Sequence, residues 1–215
     1  MKTPDIWAYL IHLGSNMWAD KDAAIRGYWG EEGLALHRDY LLCEDETWDK
    51  VVAFLATQGI NMLLIDVGEG YAYESHPELA VKGSWDRAKL QRKLQELRDL
   101  GIEPIPKLNF SACHDIWLKD YSLLVGTETY RRVAADLIAE VCDVFGKPRF
   151  FHLGMDEENP NNQASWGIAI IRNETVWWSD FYYLVEQVEK NGSRAWVWSD
   201  YYWHYTEIFK KRMPK

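Results

Sequence analysis

The hydrophobic pattern of the chain alternates between two kinds of segment. Short, almost wholly apolar runs such as 6–13 are typical of strands that are buried on both faces. Longer charged segments follow these runs, and in 86–100 the residues Leu90, Leu94 and Leu97 recur at the 3–4 spacing of a helix with one buried face. The pattern therefore predicts an α/β protein in which strands and helices alternate.

Four glycines mark this alternation at intervals of 42, 45 and 46 residues: Gly59, Gly101, Gly146 and Gly192. Each glycine ends a helical pattern and precedes an apolar run. Glycine suits the left-handed backbone position just past the end of a helix, so each one predicts a joint between a helix and a strand. The expected strands are 6–13, 60–67, 102–108, the apolar start of 149–158, and 195–198.

A regular strand–helix repeat indicates a parallel sheet, which either stays open and doubly wound or closes into an eight-stranded barrel. The strand-to-helix turns contain no GxGxxG or GxxxxGK[ST] pattern, which weakens the case for a nucleotide-binding open sheet. Polar residues instead follow the carboxyl end of each strand, where (β/α)8 enzymes build their sites. We therefore expect a TIM-barrel type fold. Residues 1–215 would form a single partial barrel domain with the first five to six units, and the remaining strands would lie beyond the C-terminus.

Composition and charge narrow the range of partners. The chain has 215 residues, a net charge of −9 and no basic run, which argues against nucleic acid and anionic membranes as partners. It has no apolar stretch of about 18 residues that would predict a transmembrane helix. Pro4 and Asp5 stand where a signal peptide needs its apolar region, and the sequence is compatible with a cytoplasmic protein or an exported parent. The twelve Trp and twelve Tyr could stack on sugar rings or fill the core.

The most informative segment is 149–158, Arg-Phe-Phe-His-Leu-Gly-Met-Asp-Glu-Glu. Its apolar start gives way to the consecutive acids Asp156, Glu157 and Glu158, and like charges packed together raise each other's pKa. Such a cluster at a strand end is typical of an active site, although a solvated acidic loop explains it equally well. His152 could orient one of the acids or be an ordinary core histidine. Consecutive acids rarely converge on one ion, so we expect no metal here.

The other strand ends add candidates for sugar binding. Lys107 could pair with Asp66 or Glu157, either to hold their charge in a site or as an ordinary ion pair inside a barrel. Trp198 could form the floor of a sugar subsite or pack in the barrel. Asp200 and Tyr201 could bind sugar hydroxyl groups or lie in a plain surface loop.

Residues 152–157, His-Leu-Gly-Met-Asp-Glu, resemble the His-x-Gly-Gly-Asp-Glu motif of the family 20 glycoside hydrolases, the β-N-acetylhexosaminidases. The segment 105–114 is similar to that family's Pro-Glu-Ile-Asp-x-Pro-Gly-His segment. The resemblance implies that the full-length protein hydrolyses terminal β-linked N-acetylhexosamine without a cofactor, by a retaining mechanism in which the sugar's own 2-acetamido group is the nucleophile. It would make Asp156 the residue that orients the acetamido group and Glu157 the general acid/base.

Several positions depart from the family pattern. Met155 replaces the second glycine, which is expected to put a bulky side chain beside the acid pair, while Lys107 and Asn109 replace two acids and Ser111 replaces a proline. These departures keep two other functions open, namely a non-catalytic carbohydrate-binding barrel and a barrel glycosidase acting on non-acetamido sugars. The residues expected to bind a glycan containing N-acetylhexosamine are His152, Asp66, Lys107, Asn109, His114, Trp198, Asp200 and Tyr201.

Overall fold

The computed structural model describes residues 5–17, 37–159, 161–162, 172 and 174–214. Its strands are β1 (Ala8–His12), β2 (Met62–Asp66), β3 (Glu103–Lys107), β4 (Phe150–His152) and β5 (Arg194–Trp196). Its helices are α1 (Asp45–Thr57), α2 (Arg87–Asp99), α3 (Glu128–Val144), α4 (Glu174–Lys190), α5 (Asp200–His204) and α6 (Thr206–Arg212). Each of the five predicted strands is present, with ends within a few residues of those expected.

The five strands form one parallel sheet in the order β1-β2-β3-β4-β5, which is also their order along the chain. The register brings the strand ends together, because His12 pairs with Asp66, Asp66 with Lys107, and Lys107 with His152. A neighbour-by-neighbour order with a helix between successive strands is that of a barrel wall, not of a doubly wound sheet. The residues that follow the strands therefore collect at one edge.

The two faces of the sheet pack differently. Side chains alternate along a strand, and in β2 the residues Leu63 and Ile65 join the large core that the helices cover. Met62 and Leu64 instead join a small cluster on the opposite face, together with Ile105 of β3. The sequence shows these strands as continuous apolar runs because both faces are buried.

The local signals at the helix ends have clear physical counterparts. The four glycines of the repeat have φ values of 75°, 76°, 72° and 81°, so the prediction of left-handed joints is confirmed. Helix α3 begins behind Thr127, whose hydroxyl accepts a hydrogen bond from the amide of Tyr130 at 3.2 Å. Within the described residues, no helix combines the length and apolar character needed to cross a membrane.

The chain after β5 forms a helix at the residues that the sequence assigned either to sugar binding or to a plain surface loop. Asp200 and Tyr201 begin helix α5, and the ring of Tyr201 stacks on Trp177 with 4.0 Å between the ring centroids. Trp178 meets Tyr201 edge-on, so the tyrosine is part of the aromatic core between α4 and α5. Part of the high aromatic content therefore fills the core.

Candidate active site

The loop after β4 has an unusual backbone that sets the direction of its side chains. Gly154, Met155 and Glu157 have φ values of 72°, 64° and 54°, in the left-handed region that L residues rarely adopt. A Cβ atom on Gly154 would lie only 2.0 Å from Oδ1 of Asn109, so this position requires glycine. Because the backbone is not extended here, the consecutive residues Asp156 and Glu157 can both approach His114.

The acid pair is held by the loop that follows β3. Asn109 donates a hydrogen bond from Nδ2 to Oδ1 of Asp156 at 2.9 Å, and the hydroxyl of Ser111 donates to the Asp156 carbonyl oxygen at 2.6 Å. Nε2 of His114 lies 3.4 Å from Oδ2 of Asp156 and 3.3 Å from Oε2 of Glu157. One imidazole thus faces both carboxylates. The side chain of Glu157 is 50% exposed and that of Asp156 is 23% exposed, so substrate could reach both.

A cavity of about 150 Å³ lies beside Asp156. Its lining consists of Leu10, His12, Met17, Lys107, Asn109, His114, Asp156 and Trp198. Four of the predicted substrate-binding residues are thus brought together with one of the two predicted catalytic acids. The walls combine an indole, an amide, two imidazoles and a carboxylate. This mixture of one apolar ring and several hydrogen-bonding groups suits a polar ring-shaped ligand.

A buried ion pair lies at one side of this cavity. Lys107 donates from Nζ to Oδ2 of Asp66, and Nδ1 of His12 lies 3.1 Å from the same oxygen. Burial alone would raise the pKa of Asp66, but the charge of Lys107 and the hydrogen bonds from His12 and Lys107 lower it to about 2. The sequence analysis missed His12. This residue ends β1 just as Asp66 ends β2, so the search for polar residues at the carboxyl ends of the strands could have found it.

His152 is fully buried and neighbours Lys107 and Trp198, two residues that line the cavity. Its Nδ1 accepts a hydrogen bond from the amide of Gly154 at 3.0 Å, and its ring centroid lies 4.5 Å from that of Trp198. Burial and the nearby charge of Lys107 lower the pKa of His152 to about 3, so the ring is neutral at pH 7. The expectation that His152 itself contacts a substrate does not agree with this burial. His152 instead supports the loop after β4 through the Gly154 amide and packs against the ring of Trp198.

Three other expectations also differ from the structure. The expectation that Met155 stands beside the acid pair is wrong, because its side chain is buried in the main core with Sδ 3.8 Å from Nη1 of Arg172. The structure does not bring Tyr201 to the cavity, because α5 directs its ring into the aromatic core. Asp200 begins the same helix and is not part of the cavity lining either.

Glu158 is not a solvated member of the acidic stretch. Its side chain is 1% exposed and forms a 3.0 Å ion pair with Arg172, whose side chain has no exposed surface. Arg172 comes 14 residues later in the sequence, and nothing in the local pattern marks the pair. Among the residues that the structure describes, no cluster of three or more His, Cys, Asp or Glu side chains could hold a metal ion.

Comparison with known proteins finds similarity at the level of structure. No family model and no curated protein sequence matches the chain. A mutant Streptomyces plicatus β-hexosaminidase solved with its product GlcNAc matches with a TM-score of 0.63 and 11% identity, covering 97% of this chain and 40% of that one. A Streptomyces coelicolor A3(2) family 20 β-N-acetylhexosaminidase matches with a TM-score of 0.57 and 14% identity, over 77% and 37% of the two chains.

A Flavobacterium johnsoniae chitobiase matches with a TM-score of 0.56 and 16% identity, over 70% of this chain and 28% of that one. The present chain therefore spans less than half the length of each of these structures. The three matches are TIM-barrel enzymes, so the predicted barrel-type fold is confirmed, with five of its strands present in one parallel sheet. The expected resemblance to family 20 is confirmed for the fold.

Proposed function

We propose that this protein is a glycosidase that hydrolyses terminal β-linked N-acetylhexosamine by substrate-assisted retaining catalysis. The observation that carries the proposal is the approach of Asp156 and Glu157 to a single imidazole, that of His114, beside a cavity that contains Trp198. The fold likeness to β-N-acetylhexosaminidases adds support. One of these relatives was solved with GlcNAc, which makes an N-acetylhexosamine the sugar to test first.

In this mechanism Glu157 is the general acid and then the general base. It donates a proton to the glycosidic oxygen while the carbonyl oxygen of the substrate's acetamido group attacks the anomeric carbon. Asp156 accepts a hydrogen bond from the acetamido N–H and stabilises the positive charge of the cyclic intermediate. Glu157 then removes a proton from the water that opens this ring. His114 keeps both carboxylates in place during the two steps.

Asn109 and Lys107 adapt the site to this role in a chain that lacks the family's acids at these positions. Asn109 can only donate through its Nδ2, so it favours a carboxylate acceptor at Asp156. Lys107 is paired with the carboxylate of Asp66, so it presents a compensated charge to the cavity that it lines. Neither replacement removes the acid pair that the proposed reaction needs. The extent of the domain, 1–215 with further strands, stays a prediction.

The test is turnover of an aryl β-N-acetylglucosaminide, with the matching aryl β-glucoside as a control substrate. We expect turnover of the first substrate alone, because the glucoside lacks the acetamido nucleophile. Glu157→Gln should lower turnover by at least about 100-fold. Glu103→Gln changes a residue at the amino end of β3, away from the site, and should leave turnover unchanged. Equal turnover of both sugars would instead indicate a glycosidase for non-acetamido sugars.

A carbohydrate-binding protein without turnover is the second candidate, and the amide of Asn109 in place of an acid favours it. Binding of N-acetylglucosamine can be measured by calorimetry in the unsubstituted protein and in the Glu157→Gln variant. Affinity that is equal in both proteins, with no turnover in either, would support the binding function over hydrolysis.

A further inference from the structure

Beneath the acid pair lies a sealed group of charges that the proposed reaction does not use. Its centre is the ion pair between Glu158 and Arg172, with Oε1 and Nη1 3.0 Å apart. Asp180 on α4 also approaches Arg172, with Oδ2 3.5 Å from Nε. The side chains of all three residues are at most 1% exposed. Buried charges are stable only when they are paired and hydrogen-bonded. The three side chains must therefore keep their positions relative to one another.

Arg172 joins three parts of the fold. Its Nη1 donates to the carbonyl oxygen of Phe110 at 2.9 Å, and its Nη2 donates to the hydroxyl of Tyr130 at 3.1 Å. Phe110 belongs to the segment after β3, Tyr130 to α3 and Asp180 to α4. The planar guanidinium can satisfy several acceptors at fixed angles, which a lysine ammonium cannot reproduce. Arg172 therefore provides a rigid base for Glu158.

Glu158 connects this base to both loops of the candidate site. Besides its bond to Arg172, Oε1 accepts a hydrogen bond from the backbone amide of Ala112 at 3.1 Å. Ala112 lies between Asn109 and His114, which hold the acid pair from the β3 side. Glu158 itself directly follows Glu157. One carboxylate thus links the loop that carries the acids to the loop that orients them.

The loop after β4 needs such a link because its backbone conformation is unfavourable. Met155 and Glu157 both have positive φ values without being glycines. Left-handed backbone at residues of this type persists where the surrounding structure imposes it. Two buried side chains fix the ends of the segment 155–158: Met155 is buried in the core, and Glu158 is held by Arg172.

We propose that Glu158 and Arg172 are positioning residues for the Asp156–Glu157 pair. They set the distance of both carboxylates from His114 without touching a substrate. This role rests on the proposed function, since it concerns the same site. Plain structural support would affect only the stability of the fold. A positioning role requires that loss of the Glu158–Arg172 ion pair changes the geometry of Asp156 and Glu157 while the protein is still folded.

The main test compares Glu158→Gln with the matched control Glu103→Gln. Glutamine keeps an oxygen for the Ala112 amide but removes the charge that faces Arg172. Glu103 also pairs with an arginine, Arg149, but both side chains are partly exposed, and Glu103 is at the amino end of β3. For the aryl N-acetylglucosaminide we expect kcat to fall about 10- to 100-fold in Glu158→Gln, with KM within about twofold, because small misplacements of reacting groups are costly. The control should match the unsubstituted protein.

A second variant covers the case in which Glu158→Gln does not fold. The double variant Glu158→Leu with Arg172→Met replaces the pair by apolar side chains, an exchange that buried ion pairs often tolerate. We expect it to fold, to have a lowered kcat and to retain its KM. An unchanged kcat in a folded variant that lacks the pair would overturn the positioning role.

NMR of the His114 ring distinguishes failure of this inference from failure of the proposed function. The ring faces both acids, so its resonances report their placement whether or not turnover occurs. If the unsubstituted protein has no turnover, the proposed function fails and the ring signals alone decide. Shifted His114 signals in Glu158→Gln, with unshifted signals in Glu103→Gln, support the positioning role, and unshifted signals in both overturn it.

Discussion

Glu157 and Glu158 have the same side chain and adjacent positions, yet they lie on opposite sides of one loop. Glu157 is half exposed and faces His114 near the cavity, whereas Glu158 is sealed in the core against Arg172. The open side of the loop provides groups that can exchange protons with a substrate. The sealed side provides fixed charges that determine where those groups are. The glutamate carboxylate is therefore a reactive group at position 157 and an anchor at position 158. The two side chains differ only in their burial and in the residues that they contact.

The first and largest expected effect concerns the open side. Glu157→Gln should lower turnover of an aryl β-N-acetylglucosaminide by about 10²- to 10⁴-fold, because proton transfer by a positioned side chain contributes this much. The free energy of unfolding should change by no more than about 0.5 kcal/mol, as is usual for an exposed position. Denaturant titration measures the second quantity. A large loss of stability would mean that Glu157 also acts as an anchor.

The second effect belongs to the sealed side. Glu158→Ala should lower the free energy of unfolding by about 3–5 kcal/mol, because removing one partner leaves the charge of Arg172 buried and poorly compensated. Chemical denaturation of the full chain, followed by tryptophan fluorescence, measures this loss. Glu103→Ala, which removes a partly exposed partner of Arg149, serves as the comparison and should cost less than about 1 kcal/mol. Equal losses would contradict the contrast between the two pairs.

The third effect tests the side chain that replaces the motif's second glycine. Met155→Gly removes a buried side chain from the core but relieves the positive φ of this residue. The first change is unfavourable and larger than the second, so we expect a net loss of about 2 kcal/mol. Affinity for N-acetylglucosamine should stay the same, because the Met155 side chain does not line the cavity. Increased affinity would show that Met155 restricts the open side after all.

The fourth effect is a pH dependence from Asp115, a buried carboxyl group near Arg172 and Glu158. Burial, opposed by the charge of Arg172 and assisted by that of Glu158, raises the pKa of Asp115 to about 8. Between pH 4 and pH 8 the folded state then holds a proton that the unfolded state has lost, so stability falls as pH rises. The slope from this group is at most about 1.4 kcal/mol per pH unit. Asp115→Asn should remove this part of the slope, which unfolding curves across this range can measure. An unchanged slope would mean that Asp115 is ionised in the fold.

Much of the fold was predictable because its signals are local. The apolar runs and the glycines at helix ends depend only on nearby residues, and they gave all five strands. Because parallel strands end at one edge of a sheet, Lys107, Asn109 and Trp198 could be expected to lie near Asp156, and all four line the cavity. The same expectation failed for Tyr201 because the chain turns into α5 directly after β5 and buries the ring.

The sealed side of the loop could not be predicted in the same way. In a sequence, a glutamate that pairs with a buried arginine looks the same as one that faces water. Glu158 also ends a run of three acids, so the pattern favoured a solvated residue. Its burial depends on Arg172, on the amide of Ala112 and on the packing of α3 and α4 around them. These are long-range contacts, which only the assembled fold brings together.

The steric fit between Gly154 and Asn109 has a consequence for how related sequences can diverge. Any side chain at 154 would overlap the amide of Asn109, so residue 154 cannot change while Asn109 keeps its place. The adjacent Met155 has no such restriction, because its side chain extends into the core. In a set of homologues, we expect position 154 to be invariant wherever 109 carries a side chain of this size. Position 155 should vary together with the core residues around it.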